Sequence, residues 1–298
     1  MPTRLRQLLI PTLLGVVAPA WADACDDALD RFDYPAAHAI ARERLTLTGA
    51  DARAWICLAR SHYETGRFAD ALAALERADP LPMDSATRVL ADNWFGVTLR
   101  RLDRRAEAWR RIEAALALAP RGGGQGGLAT ALHNRAGLLY DAGRAEAALE
   151  HYRRSVAINP DAAERSASLN NMGLIEADRG NPLAAARLIE TAIDLNRRHG
   201  HFHHLGKHLM NLGDLYRSLN RPEEAERLLA EGADLVRRAD DRFWIAVSHR
   251  LTAWLARDRG QWDRARAELA LAIRDYALAS APLEEKEARA ELAGLPAR

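Results

Sequence analysis

Three stretches of the sequence share one pattern, and this pattern decides the fold: Asn134-Arg-Ala-Gly-Leu-Leu-Tyr140, Asn171-Met-Gly173 and Asn211-Leu-Gly-Asp-Leu-Tyr216. In each stretch a small residue stands two positions after the asparagine, and a turn-forming residue follows seven positions later. A second small residue comes five positions after the turn, with large apolar residues at helical spacing beyond it. The pattern therefore predicts two antiparallel helices joined by a tight turn.

The same unit recurs before and after these stretches, which makes the chain an array of repeats. Small residues at the equivalent position are Ala59, Gly96 and Ala253, and a degenerate first unit runs from Cys25 to Ala41. This self-similarity resembles the tetratricopeptide repeat (TPR) family, over roughly residues 24–275. The resemblance implies an all-α, right-handed α-solenoid of about seven TPR helix hairpins with a C-terminal capping helix, because each hairpin buries its apolar faces against its neighbours.

The spacing between equivalent small residues sets the organisation of the array. The distances from Gly173 to Gly213 and from Gly213 to Ala253 are both 40 residues, which resembles the long-helix repeats of kinesin-light-chain-like arrays. Glycines are concentrated in residues 121–127, which we expect to form a flexible surface loop. The predicted organisation is a signal peptide (1–24), TPR repeats 1–3 (25–120), a Gly-rich connection (121–127), TPR repeats 4–7 (128–278), and a C-terminal capping helix and tail (279–298).

The N-terminal residues have the composition of a secretory signal peptide. Arg4 and Arg6 precede a short apolar run, and small residues allow cleavage after Ala22 or Ala24. The mature protein is then periplasmic or secreted, and no later segment is long and apolar enough to span a membrane. Lipoprotein anchoring at Cys25 is disfavoured because Asp23 is a poor match two positions before it.

The two cysteines, Cys25 and Cys57, are the only ones in the chain. Export would place them in an oxidising compartment, where paired cysteines form disulfides. We therefore expect one disulfide that fastens the first helix to the second hairpin.

Charge and motifs exclude several function classes. The formal net charge is only +1, so no long-range field attracts a phosphate backbone and nucleic-acid binding is not expected. No sequence motif of a nucleophile, metalloprotease or dinucleotide site occurs. We therefore expect neither catalysis nor a cofactor.

The repeated asparagines Asn134, Asn171 and Asn211 are the first candidates for a binding site. In the TPR family the first helix of each repeat lines a concave groove, and the resemblance implies that an asparagine there bonds the backbone of a bound peptide. The alternative is that each amide bonds a neighbouring helix. The same periodicity predicts further groove residues: His133, Tyr140, Asp141, Asn170, Lys207, Asp214 and Arg217.

A histidine-rich stretch, His199–His208, falls between repeats five and six. It is expected to be a solvated polar loop, although His204 and His208 would share one helix face, and imidazole pairs bind metal ions. The predicted partner is another protein or peptide segment, held by a non-enzymatic scaffold. Two alternatives stay open: a metal- or pH-responsive module built on this stretch, and a homo-oligomeric assembly protein. The oligomeric state is not determined by the sequence.

Overall fold

The structure is a computed structural model that describes residues 18–296. That part of the chain contains fifteen helices and no strand. The helices are α1 (Ala18–Asp30), α2 (Tyr34–Thr48), α3 (Ala52–Glu64), α4 (Phe68–Ala78), α5 (Ser85–Arg101), α6 (Arg105–Gly122), α7 (Gly124–Asp141), α8 (Ala145–Ile158), α9 (Ala162–Asp178), α10 (Pro182–His199), α11 (Phe202–Ser218), α12 (Pro222–Arg238), α13 (Arg242–Asp258), α14 (Trp262–Leu278) and α15 (Pro282–Ala293).

Consecutive helices pack as seven antiparallel hairpins, α1/α2 through α13/α14, and α15 covers the last one. The predicted fold class is therefore confirmed. The turn between the two helices of a hairpin contains a residue with positive φ. In hairpins two to seven this residue stands seven positions after the small residue of the first helix, as the sequence pattern predicts. Glycine fills it in four of these turns, and Asp103 and Asn220 fill it in the others, as expected for residue types that tolerate this conformation.

Five helices begin at an aspartate whose side chain accepts a hydrogen bond from a backbone N–H in the first turn. This cap satisfies one of the donors that a helix leaves unpaired at its start. The capping residues are Asp33, Asp51, Asp84, Asp161 and Asp241. All but the cap of α2 begin the first helix of a hairpin, which we call helix A.

Small residues on helix A bring the two helices of a hairpin together. A methyl group at Gly173 would lie 2.6 Å from Cγ1 of Ile189 on α10, and one at Gly213 would lie 3.0 Å from Cγ of Leu229 on α12. Ala185 and Ala225 on the second helices have no exposed surface. The small residues that recur in the sequence therefore lie where the two helices of a hairpin pack closely.

The glycine-rich connection predicted at residues 121–127 is not a loop, and this expectation was wrong. Helix α6 continues through Pro120 to Gly122, and α7 begins at Gly124. Methyl groups at Gly122 and Gly123 would lie 2.4 Å from Cβ of Ser85 and 2.9 Å from Cγ1 of Val89. The glycines therefore let this corner pack against α5, and α6 and α7 contact each other directly.

The sequence makes one prediction for each end of the chain, a signal peptide at the N-terminus and a capping helix at the C-terminus. Residues 1–17 of the predicted signal peptide lie outside the described residues, and α1 runs through both predicted cleavage positions. Within residues 18–296, no helix is long and apolar enough to cross a membrane. At the other end, α15 buries Ala288, and Glu291 bonds Arg250 of α13 at 2.5 Å.

The solenoid closes on itself, because the second hairpin touches the seventh. The backbone N–H of Arg242 donates to the carbonyl of Thr65 at 3.3 Å. A methyl group at Gly66 would lie only 2.6 Å from the backbone nitrogen of Phe243. The rings of Phe68 and Phe243 are buried there with centroids 5.5 Å apart. The helices A thus surround a central space instead of lining an open groove.

Cys25 of α1 and Cys57 of α3 are paired, with their Cα atoms 6.4 Å apart and both residues buried. The separation of the Cα atoms is within the range of ordinary disulfides. The bond would tie the first helix to the second hairpin.

Reduction of this bond is expected to destabilise the N-terminal repeats. Opening a loop with a sequence separation of 32 residues costs about 3–4 kcal/mol on the chain-entropy model. Thermal unfolding should therefore begin at a lower temperature with reductant, and a Cys25→Ser/Cys57→Ser variant should unfold at that temperature with or without reductant. If reductant leaves the unfolding of the native chain unchanged, the pair is not a disulfide in solution.

Candidate functional site

The space enclosed by the helices A is a cavity of about 230 Å³. Its lining comes from α3, α5, α7, α9, α11 and α13, from the start of α4 and from Ile112 of α6. One part is apolar and aromatic, with Tyr63, Phe68, Trp94, Phe243 and Trp244. The rest is polar and contains amides, histidines and charged side chains.

Five asparagines from four consecutive helices A face this cavity: Asn93, Asn134, Asn170, Asn171 and Asn211. Nδ2 of Asn134 donates to Oδ1 of Asn93 at 3.1 Å, and Nδ2 of Asn211 donates to Oδ1 of Asn170 at 3.1 Å. Nδ2 of Asn171 donates to the Tyr152 hydroxyl at 3.1 Å. The amides therefore bond across neighbouring repeats. This is the second role expected for them from the sequence, a bond to a neighbouring helix.

These bonds leave part of each amide free. A carboxamide has two donor hydrogens and an acceptor oxygen with two lone pairs. Among the described residues, Oδ1 of Asn134 and Oδ1 of Asn211 have no hydrogen-bond partner, and each Nδ2 uses one bond. Both residues line the cavity, so each retains one donor and one acceptor for a bound molecule.

The other predicted groove residues divide into two groups. His133, Asn170 and Lys207 line the cavity with the three repeated asparagines. Nδ1 of His133 lies 2.7 Å from the Ser168 hydroxyl. Burial, with a smaller contribution from the charge of Arg100, lowers the pKa of His133 to about 4, so this ring is neutral at neutral pH.

Tyr140, Asp141, Asp214 and Arg217 do not line the cavity, which corrects the predicted set. They lie near the C-terminal ends of helices A and join adjacent repeats. The Tyr140 hydroxyl bonds Asp178, and Asp141 accepts two bonds from Arg100 at 2.6 and 2.8 Å. Arg217 donates to Asp214 at 2.8 Å and to Asp258 at 2.6 Å. Periodicity predicted these four side chains in the groove; they lie on helices A, but outside the lining of the cavity.

The histidine-rich stretch is not a solvated loop, and this expectation was wrong. Helix α11 begins at Phe202, so His203, His204 and His208 lie on its first two turns. His203 and His208 are buried, and Nδ1 of His208 lies 2.9 Å from Nδ2 of Asn196. His204 and His208 both line the cavity.

A cluster of ionisable side chains joins the cavity to the point where the solenoid closes. We call it the closure cluster: Glu64 of α3, His203, His204 and Lys207 of α11, and Asp241, the cap of α13. The Lys207 ammonium lies 3.1 Å from Oδ2 of Asp241 and 3.5 Å from Oε2 of Glu64. Nε2 of His203 lies 2.8 Å from Oδ2 of Asp241, and Nδ1 lies 2.6 Å from the Tyr34 hydroxyl.

Burial and mutual charge set the ionisation of this cluster. Burial alone would raise the pKa of Asp241, but the charge of Lys207 and the hydrogen bond of His203 outweigh it and lower the pKa to about 2. Burial would likewise lower the pKa of Lys207, and the charges of Asp241 and Glu64 raise it instead. Burial and the charge of Lys207 lower the pKa of His204 to about 3. Both acids and the lysine are therefore charged, and His204 is neutral.

Only part of this site was accessible to sequence reasoning. Asn93 stands three residues before the small residue Gly96, not two, and so falls out of the repeated register. Its distance of 41 residues from Asn134 is the same as that from Asn170 to Asn211, a signal that could have identified it. Glu64 and Asp241 carry no such signal, since their roles depend on closure of the solenoid.

Solved structures of similar shape are helical-repeat proteins. A Rap protein complexed with competence and sporulation factor superposes with a TM-score of 0.61 at 12% identity, covering 93% of this chain and 98% of that one. Aspartyl phosphate phosphatase F from Bacillus subtilis gives 0.54 at 13% identity, covering 96% and 80%. A human IFIT1 dimer with m7Gppp-AAAA gives 0.63 at 16% identity, covering 88% and 58%. At these identities the likeness shows the fold alone.

The sequence itself matches one protein family. No curated protein matches the chain significantly. The tetratricopeptide repeat profile matches residues 87–161 and 164–238, which together are half of the chain and include all five cavity asparagines. The chain belongs to the tetratricopeptide repeat family, whose members are typically non-catalytic and bind other proteins or peptides.

Proposed function

We propose that this protein is an exported, non-enzymatic adaptor of the cell envelope that holds a short segment of a partner polypeptide in its central cavity. The observation that carries the proposal is the unused donor and acceptor on Asn134 and on Asn211, both facing the cavity. A peptide unit presents one N–H and one C=O, which is the complement of one free carboxamide edge.

The surrounding packing supports this role. The amides are held by bonds to Asn93, Asn170 and Tyr152, so they lose little side-chain entropy when a ligand binds. The aromatic part of the cavity offers an apolar surface to a side chain of the segment. Arg101, whose guanidinium lies 4.6 Å from the centre of the Phe243 ring, borders the same space.

The size of the cavity limits the ligand. A cavity of about 230 Å³ suits a short segment of a partner better than a folded domain. The export part of the proposal is supported by the leader-like residues before Ala24 and by the paired cysteines, which persist in oxidising compartments.

Replacing Asn134, Asn171 and Asn211 together by alanine is expected to abolish partner capture. Each amide bond contributes about 0.5–1.5 kcal/mol net, so losing three weakens binding by at least about tenfold. The measurement is a crosslinking pull-down from the native envelope with the mature protein, followed by titration of the captured partner.

The matched control replaces three amides outside the cavity, Gln125, Asn181 and Gln261, which are all exposed. The control should capture the partner as the native chain does, and circular dichroism should show that both variants keep their helices. Equal capture by the native chain and by the cavity variant would contradict the proposal and direct the search to the outer surface.

A further inference from the structure

The closure cluster contains three potential metal ligands that come from two distant parts of the sequence. Glu64 ends α3 in the second repeat, and His203 and His204 begin α11 in the sixth. One ligand atom from each residue lies within 4.8 Å of the other two. No local sequence motif predicts this group, because its members come together only when the solenoid closes.

His203 is oriented as a metal ligand would be. Oδ2 of Asp241 lies 2.8 Å from Nε2 of His203. Since an ionised carboxylate only accepts hydrogen bonds, Nε2 carries the proton and the lone pair is on Nδ1. Nδ1 lies 3.7 Å from Oε2 of Glu64 and accepts a hydrogen bond from the Tyr34 hydroxyl at 2.6 Å, which a bound ion would replace. A carboxylate that holds the far nitrogen of the ring is the usual support of a metal-binding histidine.

His204 supplies an independent sign of a missing partner. Its Nδ1 is buried and has no hydrogen-bond partner, and its ring lines the cavity. Buried polar atoms in folded proteins are nearly always paired, so an unpaired imidazole nitrogen beside two other ligands needs an explanation. A bound cation explains it.

One charged neighbour affects the affinity of this site. The ammonium of Lys207 lies 3.5 Å from Oε2 of Glu64 and competes with a second cation, which makes the affinity moderate.

We propose that Glu64, His203 and His204 bind a divalent transition-metal ion of the Zn²⁺ type, which fastens the second repeat to the sixth. Two imidazole nitrogens and a carboxylate oxygen are a ligand set that Zn²⁺ accepts. The metal therefore stabilises the closed solenoid from within. This inference is independent of peptide binding by the asparagines.

The test is a titration of the metal-stripped full chain with ZnCl₂ in a calorimeter. One ion per chain is expected to bind, the melting temperature is expected to rise with its concentration, and Co²⁺ is expected to give the visible absorption of a bound, low-coordinate ion. His204→Gln should weaken binding at least tenfold. The matched control His199→Gln changes an exposed histidine of the same stretch and should bind as the native chain does.

Two further variants keep the result interpretable. His204 has no hydrogen bond to lose at Nδ1, so His204→Gln should fold even if Glu64→Gln does not. Lys207→Met removes the competing ammonium and should bind the ion more tightly than the native chain. Binding weaker than about 0.1 mM, or binding that His204→Gln leaves unchanged, would overturn the proposal.

Discussion

Replacing Phe243 by alanine is expected to lower the free energy of unfolding by about 3–5 kcal/mol and to open the closed solenoid. Phe243 is buried and packs against Phe68 of the second hairpin and Tyr276 of the seventh, with ring centroids 5.5 and 5.7 Å away. The guanidinium of Arg101 lies over its face. Removing the ring therefore leaves a cavity at the only place where these two hairpins meet through a shared apolar cluster among the described residues.

Two measurements check this expectation. Urea denaturation gives the change in the free energy of unfolding, and small-angle X-ray scattering gives the radius of gyration, which should increase. Phe202→Ala is the matched control, because that ring is 58% exposed and its loss should change stability by no more than about 0.5 kcal/mol. A Phe243→Ala variant as stable and as compact as the native chain would show that the contact between the hairpins does not hold the solenoid closed.

The hairpins could be predicted from the sequence because each is specified locally. A small residue such as Gly173, a turn residue such as Gly180 and a second small residue such as Ala185 lie within one repeat and determine its geometry by steric fit alone. Closure is different in kind. The contact between Gly66 and Phe243 depends on the total rotation of all the repeats between them. No single stretch of the sequence determines that total rotation.

The same distinction explains which site residues were found. Asn134, Asn171 and Asn211 recur with the repeat, so the pattern places them on one face. Glu64 and Asp241 meet Lys207 only in the closed molecule, and their sequence neighbours give no reason to select them. The glycines at 122–127 gave a wrong prediction of a loop for another reason. Glycine-rich composition is the same for a mobile loop and for a tightly packed corner between two helices.

The asparagines and the closure cluster, at two parts of the cavity, have different roles. The amides of α7, α9 and α11 retain unused hydrogen-bonding capacity, which suits a ligand that comes and goes. The closure cluster is buried and highly charged, so its members depend on one another and on the closed shape. Mutations in the first group should therefore change binding more than stability, and mutations in the second should do the reverse.

Replacing Asp241 by alanine is expected to cost about 3–5 kcal/mol of stability, because it breaks a buried ion pair and leaves Lys207 without its nearest carboxylate. Asp241 is 2% exposed, and it accepts bonds from Lys207 at 3.1 Å, from His203 at 2.8 Å and from the backbone N–H of Trp244 at 3.1 Å. The measurement is urea denaturation with a chelator present, so that the result does not depend on any metal ion.

Asp84 provides the matched control, since it caps α5 as Asp241 caps α13. It accepts a bond from the backbone N–H of Thr87 at 2.7 Å, but it is exposed and has no ion pair among the described residues. Asp84→Ala should therefore cost about 1 kcal/mol, the ordinary value of a helix cap. The difference between the two variants measures what the buried network adds beyond capping. Equal losses at Asp241 and Asp84 would mean that the closure cluster contributes nothing to the stability of the closed solenoid.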